Sequence, residues 1–114
     1  MADCVFCRIA AKEIPARIAY EDEQVLAFHD LRPMAPVHLQ IIPKRHIARV
    51  SDLTQETAGL AGHLVLTANR LAGELGVAEP GYRLVLNCNA AAGQSVYHLH
   101  LHLLGGRPLG WPPG

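Results

Sequence analysis

Three histidines alternate strictly with leucine in His98-Leu99-His100-Leu101-His102-Leu103, the densest concentration of reactive side chains in this chain. A period of two belongs to a β-strand, which sets the three imidazoles on one face and the three leucines on the other, whereas a helix would scatter both sets. Neighbours on one strand face lie roughly 6.6 to 7 Å apart, close enough for two imidazoles to address one ligand. Three readings compete: a polar strand face without chemistry, a metal triad, and nucleophilic or acid–base catalysis by rings whose pKa of about 6.5 lets them attack, accept or donate at neutral pH. The flanks favour catalysis. Gly93-Gln94-Ser95 brings flexible amides and a hydroxyl suited to an anionic oxygen, and Gly105-Gly106-Arg107 ends the strand sharply.

Other reactive residues are less specific by themselves. Cys4-Val5-Phe6-Cys7 carries two of three cysteines, an odd count that fits metal or free thiols better than a disulfide scaffold. Free cysteines also serve as small buried hydrophobes. Asp30 precedes Leu31-Arg32-Pro33; its carboxylate can accept two hydrogen bonds from a vicinal diol such as a ribose, or cap its own turn. His38 and His46 stand at the two ends of one expected strand, where a lone histidine is ordinarily a solvated or core-edge residue. The loop Cys88-Asn89-Ala90-Ala91-Ala92-Gly93 is made of small residues that permit close approach of a ligand to backbone, or simply connect. Neither Gly-x-x-x-x-Gly-Lys nor Gly-x-Gly-x-x-Gly occurs, so no magnesium or dinucleotide cofactor is expected.

The elements that must position these groups read as follows. Asp3 to Lys12 has helix formers with apolar Val5, Phe6 and Ile9, and stops before Ile14-Pro15. Arg17–Glu21 and Gln24–Asp30 form a hairpin about Asp22-Glu23; Val37–Pro43 is a third strand, followed by a single helical turn at Ile47–Val50. A long helix from Gln55 to Leu75 is capped by Asp52 or Thr54, carries an apolar stripe of Leu60, Leu64, Leu71 and Leu75, and ends at Gly76, with His63, Asn69 and Arg70 on its polar side. Tyr82–Asn87 and Val96–Leu104 complete five strands, and the Gly/Pro-rich tail holds Trp111. Strands on either side of one long helix indicate an α+β fold with an antiparallel or mixed sheet.

Size and composition bound the rest. The 114 residues make one domain, 1–114, with a small core that dimerisation would extend. Ten basic residues balance ten acidic ones, so charge supplies no case for nucleic acid or an anionic membrane as partner. Apolar runs are too short to span a bilayer, and Met-Ala-Asp-Cys lacks a signal peptide's pattern, so a reduced, cytoplasmic setting is expected.

His98-Leu99-His100-Leu101-His102-Leu103-Leu104 resembles the His-x-His-x-His-x-x motif of the histidine triad (HIT) superfamily. Gly93-Gln94-Ser95-Val96-Tyr97, Leu104-Gly105-Gly106-Arg107 and Trp111-Pro112-Pro113-Gly114 resemble its nucleotide-binding Hint branch, over nearly the whole chain. The resemblance implies a five-stranded antiparallel sheet with one long and one short helix, pairing through a two-fold axis into a ten-stranded homodimer. It implies His100 as nucleophile, forming a nucleotidyl-histidine that water opens, with His102 on the phosphate, His38 beside them and Ser95 as donor to the leaving group. Gln94, Gly93 and Asn87 would border the phosphate, Asp30 the ribose, and Leu31, Ile9 and Phe28 the base, while Trp111 reaches toward the neighbouring subunit. Histidine rather than glutamine as the third member implies hydrolysis rather than nucleotidyl transfer. In members that begin with Cys-x-x-Cys, the cysteines bind a structural zinc together with two histidines, here Cys4, Cys7, His46 and His98, leaving Cys88 unpaired; no cofactor serves catalysis.

The resulting expectation is a purine nucleoside phosphoramidate hydrolase that releases the nucleoside monophosphate, AMP or GMP. A dinucleoside polyphosphate hydrolase is the neighbouring enzymatic reading. A nucleotide-binding adaptor acting through partners and a zinc-stabilised interaction module are the non-enzymatic ones.

Overall fold

Four consecutive apolar residues, Val25 to Phe28, are all buried, so the strand that contains them is covered on both faces. The computed structural model describes residues 3–114; Met1 and Ala2, on which part of the signal-peptide reading falls, lie outside the described residues. The chain runs α1 (Val5–Ala10), β1 (Ile18–Glu21), β2 (Val25–His29), β3 (Val37–Pro43), α2 (Ala58–Glu74), β4 (Tyr82–Val85) and β5 (Leu101–Gly105). The strands form one antiparallel sheet in the order β1-β2-β3-β5-β4. This is the expected five-stranded α+β fold with one long and one short helix.

Strand alternation divides the core in two. Val25 and Ala27 of β2, Leu39 and Ile41 of β3, and Leu101 and Leu103 of β5 face α2, where they pack with Leu64, Ala68, Leu71 and Ala72. Leu26, Phe28 and Ile42 face the other way, against Phe6 and Ile9 of α1. His38, Gln40 and His102 share that second face, so the short helix and the polar groups occupy the side of the sheet that α2 leaves open.

α2 departs in detail from its leucine pattern. Leu64 and Leu71 are buried, but Leu75 is 39% exposed, and Thr67, Ala68 and Ala72 complete the stripe. Small residues at these positions let the helix lie close to the sheet. A 3-10 turn, Gln55–Thr57, leads into the helix, and Thr54 and Thr57 cap it reciprocally. At its far end Gly76 takes φ +76, a left-handed conformation that glycine adopts without penalty, and Val77 N–H reaches back to Ala72 O. The helical turn expected at Ile47–Val50 lies later, at Val50–Asp52.

His63, expected to be a plain surface residue, is half-buried and bonds Asp22 Oδ2 at 2.7 Å. Asp22 also accepts from the amides of Gln24 and Val25 and from the Tyr20 hydroxyl. The β1–β2 turn is thereby pinned to α2 through side chains, which fixes the strand that carries Asp30.

The leucine half of the Leu/His alternation holds throughout: Leu99, Leu101 and Leu103 are at most 2% exposed. The strand itself is shorter than expected, beginning at Leu101 rather than Val96. β3 ends in Pro43, which has no N–H to offer, and the Pro43 carbonyl is taken by the His98 ring; Leu99 N–H turns instead to Ile47 O at 2.6 Å. His98 and His100 thus lie on an irregular lead-in, and only His102 sits on the strand. β4 likewise stops at Val85 instead of Asn87.

Candidate active site and metal centre

The lead-in aims the three histidines at three different partners, so they do not share one ligand. His100 Nδ1 lies 2.7 Å from the backbone oxygen of His98. A carbonyl only accepts, so Nδ1 carries the proton and donates, and the other nitrogen, Nε2, is the one left to a substrate. The ring is 8% exposed and is flanked edge-on by Phe6 at 5.2 Å and by His102 at 5.0 Å.

His102 belongs to a second chain of hydrogen bonds. Met34 N–H lies 3.1 Å from His38 Nδ1; an amide only donates, so that nitrogen accepts and the proton of the neutral His38 ring is on Nε2. His38 Nε2 is 2.9 Å from His102 Nδ1, which must then accept, leaving the His102 proton on its own Nε2. One backbone amide therefore fixes two tautomers and turns His102 into a donor. Burial holds both rings neutral. It lowers His38 against the opposing pull of Asp30, and with His100 and His38 nearby it pushes His102 down to about 4. The same arrangement argues against a metal on Asp30, His38 and His102, whose donor atoms do cluster. Ligation through His38 Nε2 would drive its proton onto Nδ1, against the Met34 amide.

Asp30 follows β2. Its Oδ1 accepts from Arg32 N–H at 2.8 Å, its Oδ2 accepts from Gln40 Nε2 at 2.6 Å, and His38 Nε2 stands 3.5 Å away. Burial works to raise this carboxyl, but the two amide donors and the neighbouring histidines carry it below the usual carboxylate range. Its own turn accounts for one oxygen, and the side chain keeps 16% exposure.

His98 is fully buried, and both its ring nitrogens are committed. Nε2 lies 2.7 Å from Pro43 O and so donates, leaving Nδ1 bare at 3.2 Å from Cys4 Sγ and 3.5 Å from Cys7 Sγ. His46 Nδ1 is 3.3 Å from Cys7 Sγ, and Cys7 N–H points at Cys4 Sγ. Bond lengths of about 2.3 Å to sulfur and about 2.0 Å to nitrogen put the donors of a tetrahedral zinc site about 3.6 Å apart. The spacings here fit that figure, and the Pro43 carbonyl supplies the outer hydrogen bond that orients a ligating imidazole. Burial, reinforced by the hydrogen bond and charge of Cys4, raises the Cys7 thiol to about 11, a preference that a divalent cation held by Cys4 and Cys7 would reverse.

A HIT domain model matches residues 11–109. The chain belongs to the HIT family. An uncharacterized HIT-like protein of Synechococcus elongatus is 54% identical over 98% of this chain and 97% of its own length. A HIT family hydrolase from Legionella pneumophila is 53% identical, with a TM-score of 0.97 over 98% of this chain and all of that one. A histidine triad protein from Clostridium difficile is 41% identical, with a TM-score of 0.93 and 96% of each chain covered.

Within this HIT chain the expected residues fall into groups. His38, His100, His102 and Asp30 come together, as do Cys4, Cys7, His46 and His98. Ile9 and Phe28 are buried in the apolar cluster beside α1, whereas Leu31 is 94% exposed and sandwiches nothing in the isolated chain. Ser95 is exposed, and Gly93 is the left-handed end of a 3-10 turn at Ala90–Ala92. Gln94 differs from expectation. Its Oε1 accepts from Asn89 N–H and its Nε2 donates to Ala48 O and Val96 O, so the amide braces its own loop and is not free to grip a phosphate. Asn87 lines a cleft of about 550 Å³ together with His38, His102, Met34, Arg83 and Arg107. Trp111 is 83% exposed on a tail tethered by Arg83 to the carbonyls of Leu109 and Gly110. Two participants escaped the sequence reading: Met34, which acts through its backbone, and Gln40, which with His38 is one of two polar residues on β3. Among the described residues no helix is long and apolar enough to cross a membrane.

Proposed function

We propose that this chain hydrolyses purine nucleoside phosphoramidates, releasing the nucleoside monophosphate through a covalent intermediate on His100. The observation that carries the reading is the 2.7 Å bond from His100 Nδ1–H to His98 O, which leaves Nε2 with its lone pair for in-line attack on the α-phosphorus. As the nitrogen–phosphorus bond to His100 forms, the bond to the leaving amine breaks; the departing electron pair takes a proton, for which the exposed hydroxyl of Ser95 is the expected donor. His102 Nε2–H, left free by the bond its Nδ1 accepts from His38, donates to a phosphoryl oxygen as charge builds there. Water then attacks phosphorus and gives up a proton that restores the Ser95 hydroxyl, while the bond to His100 breaks and its electron pair returns to Nε2, regenerating the neutral imidazole. Asp30 takes the ribose hydroxyls, and the apolar residues near α1 receive the base. The Legionella relative, a HIT family hydrolase, supports hydrolysis as the reaction class.

Zinc on Cys4, Cys7, His46 and His98 belongs to the same proposal, as a closed structural ion that ties α1 to the end of β3 and to the histidine lead-in. The 550 Å³ cleft beside His38 and His102 favours a second reading, a dinucleoside polyphosphate hydrolase, because it offers room for a leaving group as large as a second nucleotide. Turnover of adenosine 5′-phosphoramidate compared with a diadenosine polyphosphate separates the two. In both cases quenching in alkaline denaturant, which preserves a phosphorus–histidine bond, should trap a phosphorus-labelled adduct on His100, and His100→Ala should abolish turnover while the fold persists. An active His100→Ala enzyme, or an adduct on another residue, overturns the mechanism.

A further inference from the structure

Gln40 is an awkward residue for its position. β3 is a central strand, and its register sets Gln40 opposite Phe28 on β2 and opposite His102 on β5, a place where an apolar side chain would pack without difficulty. Its amide nitrogen donates to Asp30 Oδ2 at 2.6 Å. A carboxylate oxygen only accepts, so the amide cannot be turned round, and Gln40 Oε1 is left buried with no hydrogen-bond partner. A buried acceptor without a donor destabilises the fold, so packing is not what the residue serves.

What it does serve is the carboxylate. Asp30 Oδ1 is held by Arg32 N–H at 2.8 Å and Oδ2 by Gln40, one donor on each oxygen. Two donors on opposite oxygens fix the rotation of the carboxylate plane about its last side-chain bond. Each oxygen keeps a lone pair, and a rigid plane can present both to two adjacent hydroxyls at once. A carboxylate free to rotate would satisfy one hydroxyl at the expense of the other.

We infer that Gln40 is a positioning residue that locks the Asp30 carboxylate in the plane needed to grip a vicinal diol, making the site selective for ribonucleotides over 2′-deoxyribonucleotides. The inference rests on the reading of Asp30 as the ribose acceptor. Its consequence is a trade: Gln40→Leu removes the orphaned oxygen together with the lock, so stability holds or rises while sugar selectivity falls. A merely structural glutamine would move both downward together.

The test is equilibrium binding of AMP and of 2′-deoxyadenosine 5′-phosphate by calorimetry, with thermal melts, for the parent, Asp30→Asn, Gln40→Leu and Gln40→Asn. The parent should prefer AMP, and Asp30→Asn should lose that preference. Gln40→Leu should lower the ratio of the two affinities by about tenfold, the worth of one well-made hydrogen bond to a charged group, with a melting temperature no lower than the parent's. Gln40→Asn is polar but too short to reach Oδ2, and should lose the selectivity too. In turnover the loss should appear in KM for ribonucleotide substrates and leave kcat little changed. If the parent prefers AMP and Gln40→Leu keeps that preference, the positioning role is wrong and the ribose reading stands. If the parent binds both nucleotides alike, or Asp30→Asn changes nothing, both fall.

Discussion

Replacing His38 tests the hydrogen-bond chain that makes His102 a donor. In His38→Ala the Nδ1 of His102 loses the hydrogen it accepts at 2.9 Å, and the Met34 amide loses its acceptor at 3.1 Å, both beside a ring only 6% exposed. Each orphaned buried group is worth about 1–3 kcal/mol, so the variant should melt lower by an amount that sums to a few kcal/mol. The effect on rate has a different origin. Nothing then prevents His102 from carrying its proton on Nδ1, and if the wrong tautomer gains one hydrogen bond of about 1–1.5 kcal/mol, the competent fraction falls about tenfold. Complete loss of the donor would approach the roughly 10²–10³ seen when one oxyanion donor is removed, so kcat/KM should drop between about tenfold and about a hundredfold.

His38→Gln separates the two effects. A glutamine Nε2 at this position can donate to His102 Nδ1, restoring the tautomer, but its Oε1 then stands beside that nitrogen and does not reproduce the place of the imidazole Nδ1 that accepts from Met34. Single-turnover rates on adenosine 5′-phosphoramidate should therefore return to within about threefold of the parent, while the melting temperature stays depressed. If alanine and glutamine slow the folded enzyme equally, or if alanine does not slow it at all, the relay reasoning is wrong.

Three further outcomes follow from the same geometry. His102 is held down at about 4 and His38 is lowered from the ordinary 6.5, so the folded chain binds fewer protons than the unfolded one between those values. Stability is full above about pH 6.5 and is lost as pH falls toward 4; urea midpoints should drop between about pH 7 and about pH 5, and a flat profile would refute it. One zinc per chain should be released by a thiol reagent, and Cys4→Ser should lose it together with several kcal/mol of stability. That loss should be well short of the roughly 10–16 kcal/mol of peptides that fold only with metal, because the core under α2 is built from residues other than the four donors. β4 is an edge of the sheet, with no strand beyond it among the described residues, and sedimentation should return two chains per particle if that edge continues into a partner's, whereas a monomer would refute the ten-stranded arrangement.

The legible and illegible parts of this molecule differ by a physical criterion. Leu99, Leu101 and Leu103 were readable because burial of alternate residues follows from strand geometry alone, and the capped helix ending at Gly76 was readable because its stop signal is local. The fate of the histidines depends on what the chain brings to them from elsewhere: the Pro43 carbonyl, the Met34 amide and the two thiols of α1. Backbone partners leave no mark in a sequence, which is why Met34 was invisible. Gln94 misleads because a glutamine beside a reactive motif looks like a ligand whether it faces the substrate or, as here, bonds two backbone groups of its own loop and the Ala48 carbonyl of the segment after β3. Gln40 did leave a signal, a lone amide among apolar neighbours on the same strand as His38. Asp30 shows the intermediate case: the expected local turn accounts for one oxygen through Arg32 N–H, while the Gln40 amide on the other comes from a distant strand that no local signal announces.

His98 joins the two clusters in a single residue. Its ring is fixed at both nitrogens, by the Pro43 carbonyl and by the thiols, while its own carbonyl fixes the ring of His100. No ladder of strand hydrogen bonds holds this stretch; β5 begins only at Leu101, and Leu99 N–H is anchored to a loop residue. Phe6, from the helix that bears the cysteines, closes edge-on against both His98 and His100. The geometry of the His100 ring is therefore maintained by side-chain anchors at a point where the sheet has not yet begun. The alternation of histidine and leucine accomplishes two things at once: the leucines bind the lead-in to the core under α2, and the histidines use the freedom of an unpaired backbone to reach the thiols of Cys4 and Cys7, a carbonyl and a relay that a regular strand would have kept apart.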